Sequence, residues 1–280
     1  MNIDRIESFG NSTIQHGKHS DRVYLMSLAR NDLPELLPYL EELADEKGYS
    51  KIFAKVPDDR EELFRRRGYQ PEATVPDFYH GEVDVHFMGK FLSPERRLET
   101  RPQRVTEVLE LSREKSAAPE ELSLPPGYRY RALGPEDCEA MAAVYRVVFA
   151  TYPFPIHDPA YLRATMASHI RYHGIFEAGR LVAIASAELD LAGRNAEMTD
   201  FATLPEQRGR GLANYLLARL ERAAAREGIV TAFTIARAYS FGMNITFAKS
   251  GYRFGGTLTR NTQISGELES MNVWYKSLVE

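Results

Sequence analysis

Two groups of residues lie close together in the chain and have types and spacing suited to chemistry. The stretch "RGRGLA", Arg208 to Ala213, sets glycines at 209 and 211 among arginines at 208 and 210. Glycine lets backbone come close to a ligand, and the free N–H groups of a helix's first turn attract anions, so this pattern ahead of a helix suits a phosphate. Just upstream, "AEMTDFAT" carries Glu197 and Asp200, carboxylates of the kind that act as general bases. Strand alternation sets Asp200 on the opposite face from Glu197, which makes it the weaker candidate.

The elements that must position these groups are legible. "NAEMTDFATL" (195–204) reads as a strand, Pro205 as a turn, and a helix starts near Leu212, with Leu212, Tyr215, Leu216 and Leu220 at helical spacing. A Walker loop needs Gly-Lys-Ser/Thr, and a dinucleotide fingerprint needs a third glycine where Asn214 stands, so both are excluded.

The 280 residues, 44% hydrophobic and 26% charged, suffice for two ordinary domains. No apolar run approaches the roughly 18 residues that span a bilayer, and "MNIDRIESFG" lacks the basic start and apolar stretch of a secretory signal. A soluble cytoplasmic protein is expected. The single cysteine, Cys138, excludes an internal disulfide and reads as a small buried helix residue. A net charge of −4 gives no broad attraction to nucleic acid or an anionic membrane, so neither is expected as a partner. His169 and His173 have the spacing of two ligands on one helix, but with no His-Glu-x-x-His motif or further ligand cluster, no metal is expected.

Composition divides the chain into an N-terminal domain (1–92), a charged, Pro- and Ser-rich linker with one helical stretch near Val105 to Lys115 (93–126), and a C-terminal domain (127–280). The two domains share landmarks in one order. "LADEKGYSKIFAKVP" (43–57) matches "AAAREGIVTAFTIAR" (223–237), "FRRRGY" (64–69) matches "FAKSGY" (247–252), and "GEVD" (81–84) matches "GELE" (266–269). This is the pattern of an internal duplication covering the latter part of the C-terminal domain. The Gly-rich stretch has no N-terminal counterpart. Chemistry is therefore expected in the C-terminal domain, with the N-terminal copy structural or shaping a pocket.

In its context of strand and helix, "RGRGLA" resembles the Arg/Gln-x-x-Gly-x-Gly/Ala signature of the GNAT N-acetyltransferase superfamily, and "FAKSGYRF" resembles that superfamily's closing helix and strand. The resemblance covers 127–280. It implies an α/β fold with a mixed, mostly antiparallel, splayed sheet, preceded here by a partial GNAT-like domain. It also implies acetyl-CoA as cosubstrate: Arg208, Gly209, Arg210, Gly211, Leu212 and Ala213 would line the pyrophosphate, and Phe201 and Thr203 would offer main-chain groups to the pantetheine arm. "YPFPIHDPAYL" (152–162), "SFGMNITFAKSGY" (240–252) and "ESMNVWYK" (269–276), with the linked N-terminal half, are similar to the β-lysine N-acetyltransferase family, nearly end to end. That likeness implies acetylation of the side-chain amine of β-lysine, giving an osmolyte.

Acetyl transfer to an amine requires an ammonium with a pKa near ~10 to lose a proton and a thiolate to depart. Glu197 stands where the superfamily's histone-modifying branch has its catalytic Glu, and is the expected base, acting through water. Many members place a Tyr acid four residues before the "GY" pair, but here that position is Phe247. Tyr239, Ser240 or Asn244 are alternative partners for the sulfur, or the thiolate leaves unassisted, since a thiol pKa near ~8.5 makes it a tolerable leaving group; Asn244 is carried forward as a catalytic and cofactor-binding candidate. For a diamino acid, Arg260 and Asn261 would take the carboxylate, Glu269 and Asp158 the second amine, and Tyr152 and Phe154 would line the pocket. Two other functions fit the same motifs: a non-catalytic acyl-CoA-binding or sensing module, and a protein or peptide N-acetyltransferase. An enclosed acidic pocket would favour the small amine, an open channel the peptide.

Overall fold

The computed structural model describes residues 4–116 and 122–279. The N-terminal half runs β1 (Arg5–Phe9), β2 (Ser12–Gly17), β3 (Arg22–Ser27), α1 (Leu33–Lys47), β4 (Lys51–Pro57), α2 (Glu61–Arg65), β5 (Gln70–Tyr79) and β6 (Val83–Phe91). Two helices, α3 (Pro94–Arg97) and α4 (Pro102–Glu114), bridge to the second half. There follow β7 (Tyr128–Ala132), α5 (Cys138–Val148), α6 (Pro159–Met166), β8 (Ile170–Glu177), β9 (Arg180–Asp190) and β10 (Asn195–Thr203). The chain closes with α7 (Leu212–Arg226), β11 (Thr231–Arg237), α8 (Phe241–Lys249), β12 (Arg253–Ile264) and β13 (Glu267–Ser277).

All these strands join one 13-stranded sheet in the order β1-β2-β3-β4-β6-β5-β12-β13-β11-β10-β9-β8-β7. Two pairs in it are parallel, β3 with β4 and β10 with β11, and the others are antiparallel. The repeat seen in the sequence extends further in space than the matching residues do. β1-β2-β3-α1-β4-α2-β5-β6 follows the same path as β8-β9-β10-α7-β11-α8-β12-β13, down to the position of the parallel pair. The early strands leave no shared landmarks because strand pairing depends on backbone and alternation rather than on particular side chains. Where landmarks persist, packing explains them: Phe64 and Tyr69 meet edge to face at 5.1 Å, and Phe247 and Tyr252 do the same at 5.1 Å.

One core lies under α1 and another joins α5 and α7 to the C-terminal strands. A third crosses between halves, where Tyr24, Phe53, Phe78 and Phe87 pack with Phe233, Leu258, Ile264 and Met271. The stretch taken as a linker is bound down. Val105 of α4 packs with Ala238 and Tyr239, and the buried Arg96 donates to the Ser20 carbonyl at 2.9 Å and Ser50 Oγ at 2.8 Å. Residues 117–121 of that stretch lie outside the described residues.

Candidate active site

β10 and β11 pair only over Asn195–Glu197 and Thr231–Phe233, although β11 goes on pairing with β13 to Arg237. Beyond Glu197 the two strands part. A cleft of about 150 Å³ occupies this opening, with Thr199, Asp200 and Phe201 on one side and Thr234 to Arg237 on the other. The N-terminal half closes it with Arg22, Tyr24, Met26, Phe53 and Lys55, and the "YPFP" loop adds Tyr152, Pro153 and Phe154. Of the two roles expected for the N-terminal copy, structural or pocket-shaping, this lining bears on the second.

Three carboxylates share the cleft, Glu197, Asp200 and Glu188, the last of which the sequence did not suggest. Glu188 on β9 is the register partner of Glu197 on β10, so both project from one face. Like charges directly opposite on a sheet are unfavourable, and folding tolerates the pair only at a cost. Burial first, then the charges of Glu197 and Asp200, raise Glu188 well above the usual carboxylate range, against the pull of Lys55. Burial raises Glu197 too, opposed by Lys55 and reinforced by Asp200. Burial works against the Lys55 ammonium, but Tyr24, Tyr79, Glu197 and Glu188 more than compensate and hold it above its ordinary value. Alternation across a sheet pair was the signal that could have found Glu188.

Asp200 is a correction. The β9–β10 register breaks between Thr199 and Ala202, and Asp200 sits at φ +53°, so the bulge re-aims its side chain into the cleft beside Glu197 rather than to the opposite face. Its two oxygens accept from Tyr152 Oη at 2.5 Å and Ser186 Oγ at 2.6 Å. Burial raises its pKa, and these two hydrogen bonds pull the other way. Asp200 is thus anchored, whereas Glu197 and Glu188 make no ion pair among the described residues.

The "RGRGLA" stretch follows β10 directly. Gly211 is the N-cap of α7 with φ +74°, and Gly209 has φ +78°. A Cβ on either would meet nothing within 4 Å, so the glycines serve conformation and leave the approach open. No side chain caps α7, and among the described residues nothing accepts from the first-turn N–H groups of Leu212, Ala213 and Asn214. An uncapped 15-residue helix with its donors facing open space fits a pyrophosphate. Arg210 Nη1 donates to Tyr128 Oη at 2.9 Å, and Arg208 Nε to the Thr203 carbonyl at 3.3 Å. Phe201 lies between this stretch and the cleft, edge to face with Phe247. The matching N-terminal junction, β3 to α1, cannot do this work: Pro34 lacks an N–H, and Asp32 stands at the helix start.

Other expected residues are elsewhere. Asn244 is fully buried and spent: Nδ2 donates to the Arg237 and Ser240 carbonyls, and Oδ1 accepts from Asn272 Nδ2 and Trp274 Nε1. It has no capacity left for a cofactor or a sulfur, and it secures the β11–α8 turn instead. Arg260 Nη1 donates to the Glu95 carbonyl, outside the cleft wall. Asp158 is exposed and caps α6 through Ala160 N. Glu269 is buried behind the wall, where both its oxygens hold Arg237. Tyr152, Phe154 and Asn261 do line the cleft, and Phe247 lines it without a hydroxyl. Tyr239 donates to Glu99 Oε1 and Ser240 caps α8, both away from the cleft. "HIRYH" is mostly strand, so His169 and His173 stand about 13 Å apart, out of reach of one ion.

A family model described as Acetyltransferase (GNAT) family matches residues 139–251. The chain is 37% identical over 274 residues to a β-lysine N(6)-acetyltransferase of Methanococcus maripaludis, covering 98% of this chain and 99% of that protein. The chain belongs to the GNAT acetyltransferase family. It is also 34% identical to the N-acetyltransferase YodP of Bacillus subtilis, over 88% of this chain and 89% of the relative. With a second β-lysine N(6)-acetyltransferase, from Methanosarcina mazei, it shares 30% identity, over 87% of this chain and 97% of the other. As a GNAT enzyme it is an acetyl-CoA-dependent N-acetyltransferase, and the mixed, splayed sheet expected from the resemblance is the sheet found. No helix among the described residues is long and apolar enough to cross a membrane.

Proposed function

We propose that this GNAT enzyme transfers acetyl from acetyl-CoA to the N6 amine of β-lysine. The observation that carries the reading is the walled cleft in the β10–β11 opening, where Glu188 and Glu197 stand without protein cations in ion-pair contact, next to an uncapped helix start. An acidic, partly closed site suits a small ammonium compound. The near full-length similarity to two β-lysine N(6)-acetyltransferases supports the same substrate. In this reading the N-terminal half, a partial copy of the fold, is kept for its wall.

The chemistry follows from the positions. The α7 start and Arg208–Ala213 hold the pyrophosphate, and the pantetheine arm runs past Phe201 into the opening. Glu197 takes a proton from the N6 ammonium through water. The neutral amine attacks the thioester carbonyl carbon and the C–N bond forms; the attacking nitrogen then gives its extra proton to water, the C–S bond breaks, and coenzyme A leaves as thiolate beside the neutral amide. Phe247 offers no proton, and a thiol pKa near ~8.5 lets the thiolate depart without one. The test is mass spectrometry of the product made from acetyl-CoA and a panel of β-lysine, α-lysine and simple alkylamines. Acetylation of β-lysine at N6, at least about tenfold more efficient than of α-lysine, is expected because shifting one ammonium unpairs a desolvated charge. Equal turnover of all three amines would refute β-lysine as the specific acceptor.

A further inference from the structure

Arg22 on β3 is a buried cation with no anion. The residue is 4% exposed and lies in the cleft wall. Its guanidinium packs over Tyr24 and Phe53, with Nη1 donating to the Asn261 carbonyl and to Thr262 Oγ1 at 3.1 Å. Nε is buried without a partner, and so is the side-chain oxygen of Asn261 beside it. Three nearby cations are matched, Lys51 with Glu72 at 2.7 Å, Arg96 with Asp21 at 3.4 Å, and Arg237 with Glu269, and Lys55 lies in the field of Glu188 and Glu197. Among the described residues no carboxylate lies in ion-pair range of Arg22. Leaving a guanidinium desolvated and unpaired is costly, and its planar fork matches a carboxylate. Burial lowers its pKa to about 10, so it stays charged at neutral pH.

Position strengthens the case. On β3 and β4, Arg22 is the register partner of Lys51, and Lys55 lies four residues further along the same strand. Arg22 and Lys55 are therefore about 13 Å apart along the wall. Lys55 is the end facing Glu188 and Glu197. The cleft thus presents an unpaired cation at one end and, across from Lys55, the β9–β10 carboxylate pair at the other, the charge order of an extended amino acid with a distal ammonium. We propose that Arg22, supplied by the N-terminal half, is the receptor for the acceptor's carboxylate, with Asn261 at its side. The assignment deepens the reading of β-lysine as acceptor and rests on it. It replaces Arg260, which the sequence favoured.

The experiment compares β-lysine with pentane-1,4-diamine, the same chain without its carboxylate, in the wild type and in Arg22→Gln, Arg22→Lys and Asn261→Asp. The wild type is expected to prefer β-lysine by at least about 100-fold in kcat/KM, the scale for leaving a buried charge unpaired. Arg22→Gln should shrink that ratio by about 30-fold or more, mainly through the KM for β-lysine, with the KM for acetyl-CoA unmoved. Arg22→Lys should fall between. Asn261→Asp, nearly isosteric, sets an internal anion beside Arg22 and should shrink the ratio as well. A wild-type ratio retained in Arg22→Gln and Asn261→Asp overturns the assignment and leaves the acceptor standing. Equal losses on both substrates show a structural role and overturn it too. A wild type indifferent to the carboxylate overturns the acceptor reading itself.

Discussion

Glu197 and Glu188 face each other across β9 and β10 with neither in an ion pair, and burial, with Asp200 beside both and Glu197 beside Glu188, raises the two pKa values. A base whose pKa is raised from the usual 4.5 toward that of its task accepts a proton more readily from an ammonium. Glu197→Gln keeps the shape and removes the acceptor, so kcat should fall about 100-fold or more at neutral pH and recover in part as pH rises toward the amine's own pKa. Asp200→Asn removes the neighbouring charge that lifts Glu197, so the acid limb of the pH–rate profile should move to lower pH. The same pair governs stability. Each carboxylate binds its proton more tightly folded than unfolded, so its contribution is fully present below about 4.5 and is lost as pH rises through the raised value. Thermal melts should therefore show Glu188→Gln more stable than the wild type at neutral pH and above. An unmoved acid limb in Asp200→Asn together with an unchanged melting temperature in Glu188→Gln would mean these carboxylates are uncoupled.

At the level of elements, the β10–α7 junction was the most legible part of the molecule. Strand, turn, glycines and helix all follow local rules, and local rules survive folding. The β10 bulge was not legible, because alternation sees Asp200 as an ordinary strand residue and only the pairing with β9 reveals the break at Thr199. Asn244 was misread for a related reason: nothing near it in sequence announces that Asn272 and Trp274, from β13, saturate it. At the junction itself, Gly211 has φ +74° with open space where a Cβ would stand. Gly211→Ala meets no clash within the protein, but it strains the N-cap by about 1 kcal/mol and sets a methyl where the proposed pyrophosphate site lies. Calorimetry should show acetyl-CoA binding weakened at least about tenfold, the scale of losing one close phosphate contact. Wild-type affinity in the folded variant would move the pyrophosphate elsewhere.

For the molecule as a whole, the open question was why a complete acetyltransferase half carries a copy that cannot bind the cofactor. The sequence repeat pointed to a structural or pocket-shaping role, but it could not give the join, since the contacts that make the wall lie more than 200 residues apart, as between Arg22 and Thr262. The join is narrow. β5 and β12 share one register pair, Ala73 with Gly256, flanked by the apolar cluster of both halves. Gly256 has φ +146°, and a Cβ there would stand 2.2 Å from the Glu72 carbonyl and 2.6 Å from Ala73 Cα, both backbone atoms that cannot swing aside. Gly256→Ala must therefore push β5 away from β12 and shift the wall that carries Tyr24, Lys55 and Arg22. The proposed acetyl-CoA site on β10 and α7, at a distance, should be spared. If the copy exists to complete the acceptor pocket, steady-state kinetics of Gly256→Ala should show the KM for the amine rising about tenfold or more, with the KM for acetyl-CoA within about twofold, because misplacing a positioning group by an ångström costs on this scale. A parallel rise in both constants would instead make the copy a support for the whole fold.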